Sequence, residues 1–264
     1  MSALVAVVRS ELTKIITLRS VWLTLGGVLA LQVLVGATSL SLYSDAVAAI
    51  TPDGIIEIFV GQPQDAEQAM LESLVASSLE MCIFLPVVAA VIAGQEFRGR
   101  QLRTSMLAVP ARGHLVAAKL AAAGIFLLLP ALLVAAVSTL FTWLAVRQWQ
   151  PGLVVSQAAL SAQARFVVFA VALCLVTYAV TLVTRSVVIA VMVAVVLTAV
   201  AMSQALAPTL DRWLPVSAGR NLLLDPVSTP DLTSGPTLAV AVLATWVVVL
   251  GIAAGAAFTR REAP

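Results

Sequence analysis

The chain has 264 residues, of which 61% are apolar and only 11% charged, with a net charge of +2 and a mean hydropathy of +1.06. A soluble domain is about 45–50% apolar and about 25% charged, and one of this size leaves about a quarter of its unfolded surface exposed, so this composition excludes a cytosolic globular enzyme, a disordered chain and a coiled coil. An integral membrane protein remains, and the long apolar runs lack the period-2 alternation of barrel strands, so it reads as all-α.

Residues 1–20 come first. A basic stretch before the apolar run and a small-residue cleavage site after it are both missing, so the segment does not read as a signal peptide. Leu4, Val5, Val8, Leu12, Ile15 and Ile16 share one helical face, with Arg9, Ser10, Thr13, Lys14 and Thr17 on the other. This pattern predicts an amphipathic helix lying in the membrane interface.

Six apolar segments follow, at 21–43, 74–94, 115–146, 166–184, 187–207 and 237–258. Each approaches or exceeds the roughly 20 helical residues that cross a bilayer core. The third contains Pro130 and is longer than a crossing needs, which predicts a tilt, a kink or an interfacial start. Only Arg185 and Ser186 separate the fourth and fifth, where a tight turn is expected.

With the N-terminus inside, six crossings also place the C-terminus inside. Arg9, Lys14, Arg19, Arg98, Arg100, Arg103, Arg112, Lys119, Arg185, Arg260 and Arg261 then lie inside, against Arg147, Arg165, Arg212 and Arg220 outside. This split obeys the positive-inside rule. Asp45, Asp53, Glu57, Asp65, Glu67, Glu72 and Glu80 gather in or near the first outer loop, residues 44–73. Pro63 followed by Asp65 and Glu67 predicts a helix start ahead of the second crossing. The other outer stretch, 208–236, reads as a capping loop or interfacial segment. Trp22 fits an inner aromatic belt, Trp143 and Trp149 an outer one, and Trp246 falls mid-helix, where core packing is expected.

Chemistry is sparse. Cys82 and Cys174 sit in apolar runs and read as core thiols, and the single histidine, His114, excludes paired-histidine metal chemistry and, unless it serves itself, the usual Ser-His triad; it lies beside a basic loop rather than in a membrane run. Glu80, near the outer end of the second segment, reads as an interfacial or packing carboxylate rather than a proton carrier. The polar residues within the helices, including Gln32, Ser138, Thr177, Tyr178 and Thr198, fit either helix packing or the lining of a pathway. The Gly-x-x-x-x-Gly-Lys-Ser/Thr phosphate loop is absent, and no nucleic-acid partner is expected.

The most informative segment is GQEFRGRQLRTSMLAVPARGHLVAAK, residues 94–119. Within it Leu102, Met106 and Val109 recur at helical spacing, opposite Arg100, Arg103 and Thr104, and Pro110 ends the run. A short amphipathic helix over 96–109 is predicted, a suitable handle for a cytosolic partner.

Four stretches together resemble the ABC-2 family of ABC-transporter permeases, in the small form of high-GC Gram-positive bacteria. They are SELTKIITLRSVWLTL at residues 10–25, the 94–119 segment, LPVSAGRNLL at 214–223 and FTRREA at 258–263. The likeness runs in order along nearly the whole chain and departs at Gln101, where the family often has Thr. It implies a single transmembrane domain over 1–264: six transmembrane helices, an N-terminal interfacial connecting helix and a short cytosolic coupling helix. It implies a bacterial plasma-membrane location with both termini cytosolic. The partners would be two copies of a separate ATPase, which carries Mg-ATP, and a second permease copy or close paralogue. This chain would be no enzyme and hold no cofactor. Glu96, Arg98, Gly99, Arg100, Leu102, Arg103, Thr104, Met106 and Leu107 would form the ATPase-coupling element. Met81, Phe84, Leu85, Met192, Thr198 and Met202 would line the substrate path of an exporter for a drug, antibiotic, peptide or lipid-like compound. Two alternatives stay open: a scaffold or immunity protein that holds an ATPase at the membrane, and a secondary transporter, although the internal repeats and mid-membrane charges of the latter are not seen.

Overall fold

The computed structural model describes residues 3–58, 62–97, 112–226, 229 and 231–260. The chain is almost wholly helical. Helix α1 (Ala3–Thr17) is followed after Leu18 by α2 (Arg19–Ala48). A two-stranded antiparallel ribbon, β1 (Ile55–Glu57) and β2 (Pro63–Asp65), pairs Ile55 with Asp65. Then come α3 (Ala66–Cys82), α4 (Leu85–Gln95) and α5 (Arg112–Val146). After a 3-10 turn at Leu153–Val155, α6 (Gln157–Thr184) leads to α7 (Val187–Ser203). Two short helices, α8 (Pro208–Asp211) and α9 (Pro215–Leu223), precede α10 (Pro236–Arg260).

Five stretches are long and apolar enough to cross a membrane: Arg19–Ala48, Ala66–Gln95, Leu115–Val146, Gln157–Thr184 and Pro236–Ala257. This is the composition of an all-α, multi-pass membrane protein. Helix α7 is apolar but has only 17 residues, about 25 Å at 1.5 Å per residue.

Several boundaries differ from the sequence expectation, each for a local reason. Pro63 does not open a helix. It lies in β2, and α3 starts three residues later, where the Asp65 side chain accepts a hydrogen bond from the Gln68 N–H at 2.9 Å, a standard N-cap. The second apolar segment is not one continuous helix. Pro86 has no N–H to give the Cys82 carbonyl and its ring crowds that group, so α3 ends at Cys82. Tight turns bridge the break, with the Phe84 N–H donating to Met81 O and the Val87 N–H to Phe84 O. Helix α6 begins at Gln157 rather than at 166, capped by Ser156, whose hydroxyl accepts from the Ala159 N–H. Arg165 is therefore inside a helix. Between α6 and α7 the expected tight turn is present: Arg185 takes the left-handed conformation (φ 56°), and Ser186 caps α7 by accepting from Ile189 N–H.

Helix α6 is the centre of the fold. It packs against α3, α4, α5, α7, α9 and α10, and 67% of its most apolar stretch is buried, against 22% for α2 and for α10. One continuous apolar core joins every helix except the short α8. A smaller core sits under the ribbon, where Ile56 packs with Ala46, Val47, Met70, Val146 and Leu153. Cys82 and Cys174 are free thiols in the main core.

The stretch 208–236 is more than a surface cap, because every residue of α9 is buried. Polar bonds accompany this burial. Asp211 accepts from the Ser217 hydroxyl at 2.6 Å, and Asn221 Nδ2 donates to the hydroxyls of Thr233 and Ser234. Arg220 donates to Ala201 O at 3.1 Å, one of the last carbonyls of α7, which the helix itself leaves unpaired. Trp246 packs against the main core and its indole N–H donates to Trp213 O at 2.7 Å, tying α10 to the same region.

Gly219 lets α9 approach α6, since a Cβ there would overlap the Phe169 ring, which is itself buried. Gly219→Ala should therefore lower stability by about 1–3 kcal/mol, the usual cost of overpacking. Gly255→Ala, where a Cβ meets nothing within 4 Å, should be neutral or stabilise by up to about 1 kcal/mol. Thermal melting of the two purified variants in one lipid mixture checks both; equal losses would contradict the packing.

Candidate functional site

Among the described residues, the strongest concentration of buried charge forms where α1, α4, α5 and α6 meet. Lys119, on α5, has no exposed side-chain surface. Its ammonium lies 2.7 Å from Glu11 on α1 and 2.7 Å from Glu96 at the end of α4. Lys14, one turn along α1, reaches the other oxygen of Glu11 at 2.6 Å. Two carboxylates and two ammonium groups thus balance. An unpaired ammonium at this depth would cost several kcal/mol, which the two short charge-assisted bonds offset. Burial raises the pKa of the Glu11 carboxyl, but the Lys119 and Lys14 charges outweigh it and hold the group below its ordinary value of 4.5.

These groups line a cavity of about 100 Å³ with Ile92, Gln95 and Tyr178. Gln95 also donates to the Ser20 hydroxyl at 3.2 Å, which brings the start of α2 into the same junction. Glu96 Oε2 is buried without a hydrogen-bond partner among the described residues.

The cluster pins both flanks of the basic segment. Glu96 stands just before it and Lys119 just after, and each is held to the other and, through Lys119, to α1. Of the residues assigned to the coupling element, Glu96 takes part in this junction. Arg98, Gly99, Arg100, Leu102, Arg103, Thr104, Met106 and Leu107 lie outside the described residues, as does the expected helix over most of 96–109.

The cluster was not legible as a unit in the sequence, but a signal exists. On α1 the buried side is Val8, Glu11, Leu12 and Ile15, so Glu11 interrupts the apolar stripe at helical spacing. A carboxylate on a packing face implies a buried cation opposite. The stripe is also narrower than expected, because Leu4, Val5 and Ile16 are exposed.

The residues assigned to a path are distributed unequally. Thr198 and Met202 line an apolar cleft of about 200 Å³ between α3, α6 and α7, with Leu79, Phe169 and Leu173. Met81 lines a smaller cleft between α2, α3 and α5, more polar than the first because Gln32, Tyr43, Ser77 and Ser138 share its walls with Val35, Leu40 and Phe141. Glu80 borders both. Leu85 is fully buried in the core, whereas Phe84 and Met192 are exposed and border neither cleft. Between α2 and α5, Gln32 Nε2 donates to Val134 O at 2.8 Å and to Ser138 Oγ at 2.9 Å. This is the polar bonding that holds helices together where apolar burial alone gives little preference. Among the described residues, no three His, Cys, Asp or Glu side chains gather as metal ligands. No family model matches the chain, and no curated protein matches it.

Lys119→Met should strand Glu11 and Glu96 as buried charges and destabilise the fold by about 3–5 kcal/mol, as when one partner of a buried pair is removed. Restoring neutrality with Glu11→Gln and Glu96→Gln should recover much of that loss. The pH dependence has a definite sign. A carboxyl whose folded pKa is depressed contributes stability in full above its unfolded value of 4.5 and loses it as pH falls through the folded value. Melting temperature should accordingly fall on acidification below about pH 4.5, and the fall should be shallower in Glu11→Gln. An identical acid limb in both proteins would show that the cluster does not carry it.

Proposed function

We propose that this chain is the membrane-spanning permease subunit of an ATP-binding-cassette exporter of the ABC-2 type. It works as a pair of permeases with two copies of a separate ATPase. The single observation that supports the reading most is the Glu11–Lys119–Glu96 cluster. A permease without its own phosphate loop must receive the ATPase's motion through a cytosolic element, and that element must be stiffly joined to the membrane helices. Here the flanks of the basic segment 98–111 are joined to each other and to the interfacial helix by short ion pairs. A displacement of that segment would reach α1, α4 and α5 together, and α6 through its packing on α4.

In this reading α7 is the fifth of six crossings, shorter than the others, and α1 lies along the cytosolic surface with Leu4, Val5 and Ile16 in lipid. The ribbon and α8–α9 then belong to the outer side. Helix α7 presents Val188, Met192 and Val195 outward, an apolar surface suited to lipid or to the second permease. ATP is hydrolysed in the partner, and Leu102, Met106 and Val109 form the apolar stripe that seats on it.

Leu102→Asp should leave the chain inserted but remove the ATPase. A charge buried without a partner in that contact costs about 2–5 kcal/mol, which weakens the complex by a factor of roughly thirty to several thousand. Co-purification from membranes measures it, and full ATPase recovery with Leu102→Asp would refute the coupling assignment. For topology, Arg100→Cys should react with an impermeant thiol reagent only from the cytosolic side, and Asp53→Cys only from outside. Labelling of Arg100→Cys in intact cells would overturn the orientation.

A further inference from the structure

We infer that the two clefts meeting at Glu80 form one binding site for an amphiphilic amine, with the protonated nitrogen on the polar side and the apolar body in the larger cleft. The inference takes the membrane placement of α2, α3 and α5 from the proposed function, and the ATPase has no part in it.

Two independent observations point to the ligand. The first is charge. Glu80 carries a carboxylate at the edge of a cleft otherwise built from Ala76, Leu79, Phe169, Leu173 and Met202. Among the described residues no basic group lies within ion-pair distance of it. Glu80 is exposed, so its charge is open to an incoming ligand, and a carboxylate beside apolar walls favours a cation with an apolar body over a neutral or anionic one. The second is an unsatisfied acceptor. Gln32 is 4% exposed and lines the polar cleft with Tyr43, Ser77 and Glu80. Both of its amide hydrogens are directed at α5, one to Val134 O and one to Ser138 Oγ. Its Oε1 is buried and has no hydrogen-bond partner among the described residues, and the two bonds from Nε2 fix which end of the amide is the acceptor. A buried carbonyl oxygen left without a donor is costly, and an ammonium N–H would satisfy it.

Size separates the two halves of the ligand. The polar cleft has room of about 30 Å³, enough for an ammonium group or a water but not for a hydrocarbon body. The neighbouring cleft, about 200 Å³, accepts an aromatic or branched apolar group. Glu80 is common to both, so a molecule whose charge and body are joined by a short chain spans them. Because Gln32 needs a hydrogen-bond donor, a primary or secondary amine fits better than a quaternary ammonium.

The test uses the purified full chain in phosphatidylcholine nanodiscs, titrated by calorimetry against empty nanodiscs. Four probes share one apolar body: 4-phenylbutylamine, 4-phenylbutan-1-ol, 4-phenylbutyrate and 4-phenylbutyltrimethylammonium. The amine should bind at least about tenfold tighter than the alcohol, equivalent to about 1.4 kcal/mol, with the quaternary ion weaker than the amine and the carboxylate weakest. Glu80→Gln, at an exposed position that should not affect folding, should reduce the amine to the affinity of the alcohol and leave the alcohol unchanged. Thr198→Trp, which narrows the apolar cleft, should weaken amine and alcohol together. Equal binding of amine and alcohol, or an amine preference that survives Glu80→Gln, would overturn the inference. Because no ATPase is present, that failure is distinct from failure of the coupling experiments.

Discussion

A lysine with no exposed side-chain surface governs the architecture at one end of this molecule. Lys119 can remain charged there only with carboxylates in contact, and these come from two other helices, Glu11 on α1 and Glu96 at the end of α4. Hydrophobic packing is tolerant of sliding, since one apolar neighbour serves nearly as well as another. Ion pairs of 2.7 Å are not. The cluster therefore fixes the register of α1 against α5 and of α4 against α5. Such pairing adds little net stability compared with apolar side chains of the same size, while the loss of one partner is severe. Its consequence is positional, and it falls on the two flanks of the basic segment.

The opposite side of the fold is organised around a different problem, the burial of a short polar helix. Helix α9 brings Ser217, Arg220 and Asn221 into the interior. Asp211, Thr233 and Ser234 from the flanking chain meet two of these side chains, and the free carbonyl of Ala201 meets Arg220. The helix closes over α6, with Gly219 against Phe169. Together the two regions hold α6 at the centre, in contact with nearly every other long helix. Movement at either end must be accommodated by α6 or passed around it. The Gln32 bonds tie the peripheral pair α2 and α5 to each other.

Much of the architecture was legible from composition and periodicity. Apolar runs of twenty or more residues have no stable alternative to helices in a lipid setting, because each backbone polar group must find its partner within the same segment. The turn at Arg185 and Ser186 follows from an apolar run too long for one crossing. The break at Phe84 has its trace in Pro86, but a single proline in a strongly apolar run carries less weight than the run itself. The ribbon was hidden for a related reason: Pro63 and Asp65 are good helix-start residues, and the pairing of Pro63 with Glu57 depends on a partner strand rather than on local preference. The junction of Glu11, Glu96 and Lys119 left one trace, a carboxylate on the apolar face of α1.

The sequence by itself determined that this chain is helical, that it is built for a membrane, and roughly where its long helices run. Those properties depend on neighbours in the chain: hydropathy summed over a segment, the spacing of apolar residues, and the stops that proline and capping residues impose. Tertiary structure alone decided that α6 is central, that α9 is buried, that Lys119 joins Glu11 to Glu96, and that Gln32 and Glu80 border one polar cleft. Those depend on residues far apart in sequence, such as Glu11 with Lys119 or Gln32 with Ser138, whose side chains acquire a common environment only when the helices pack.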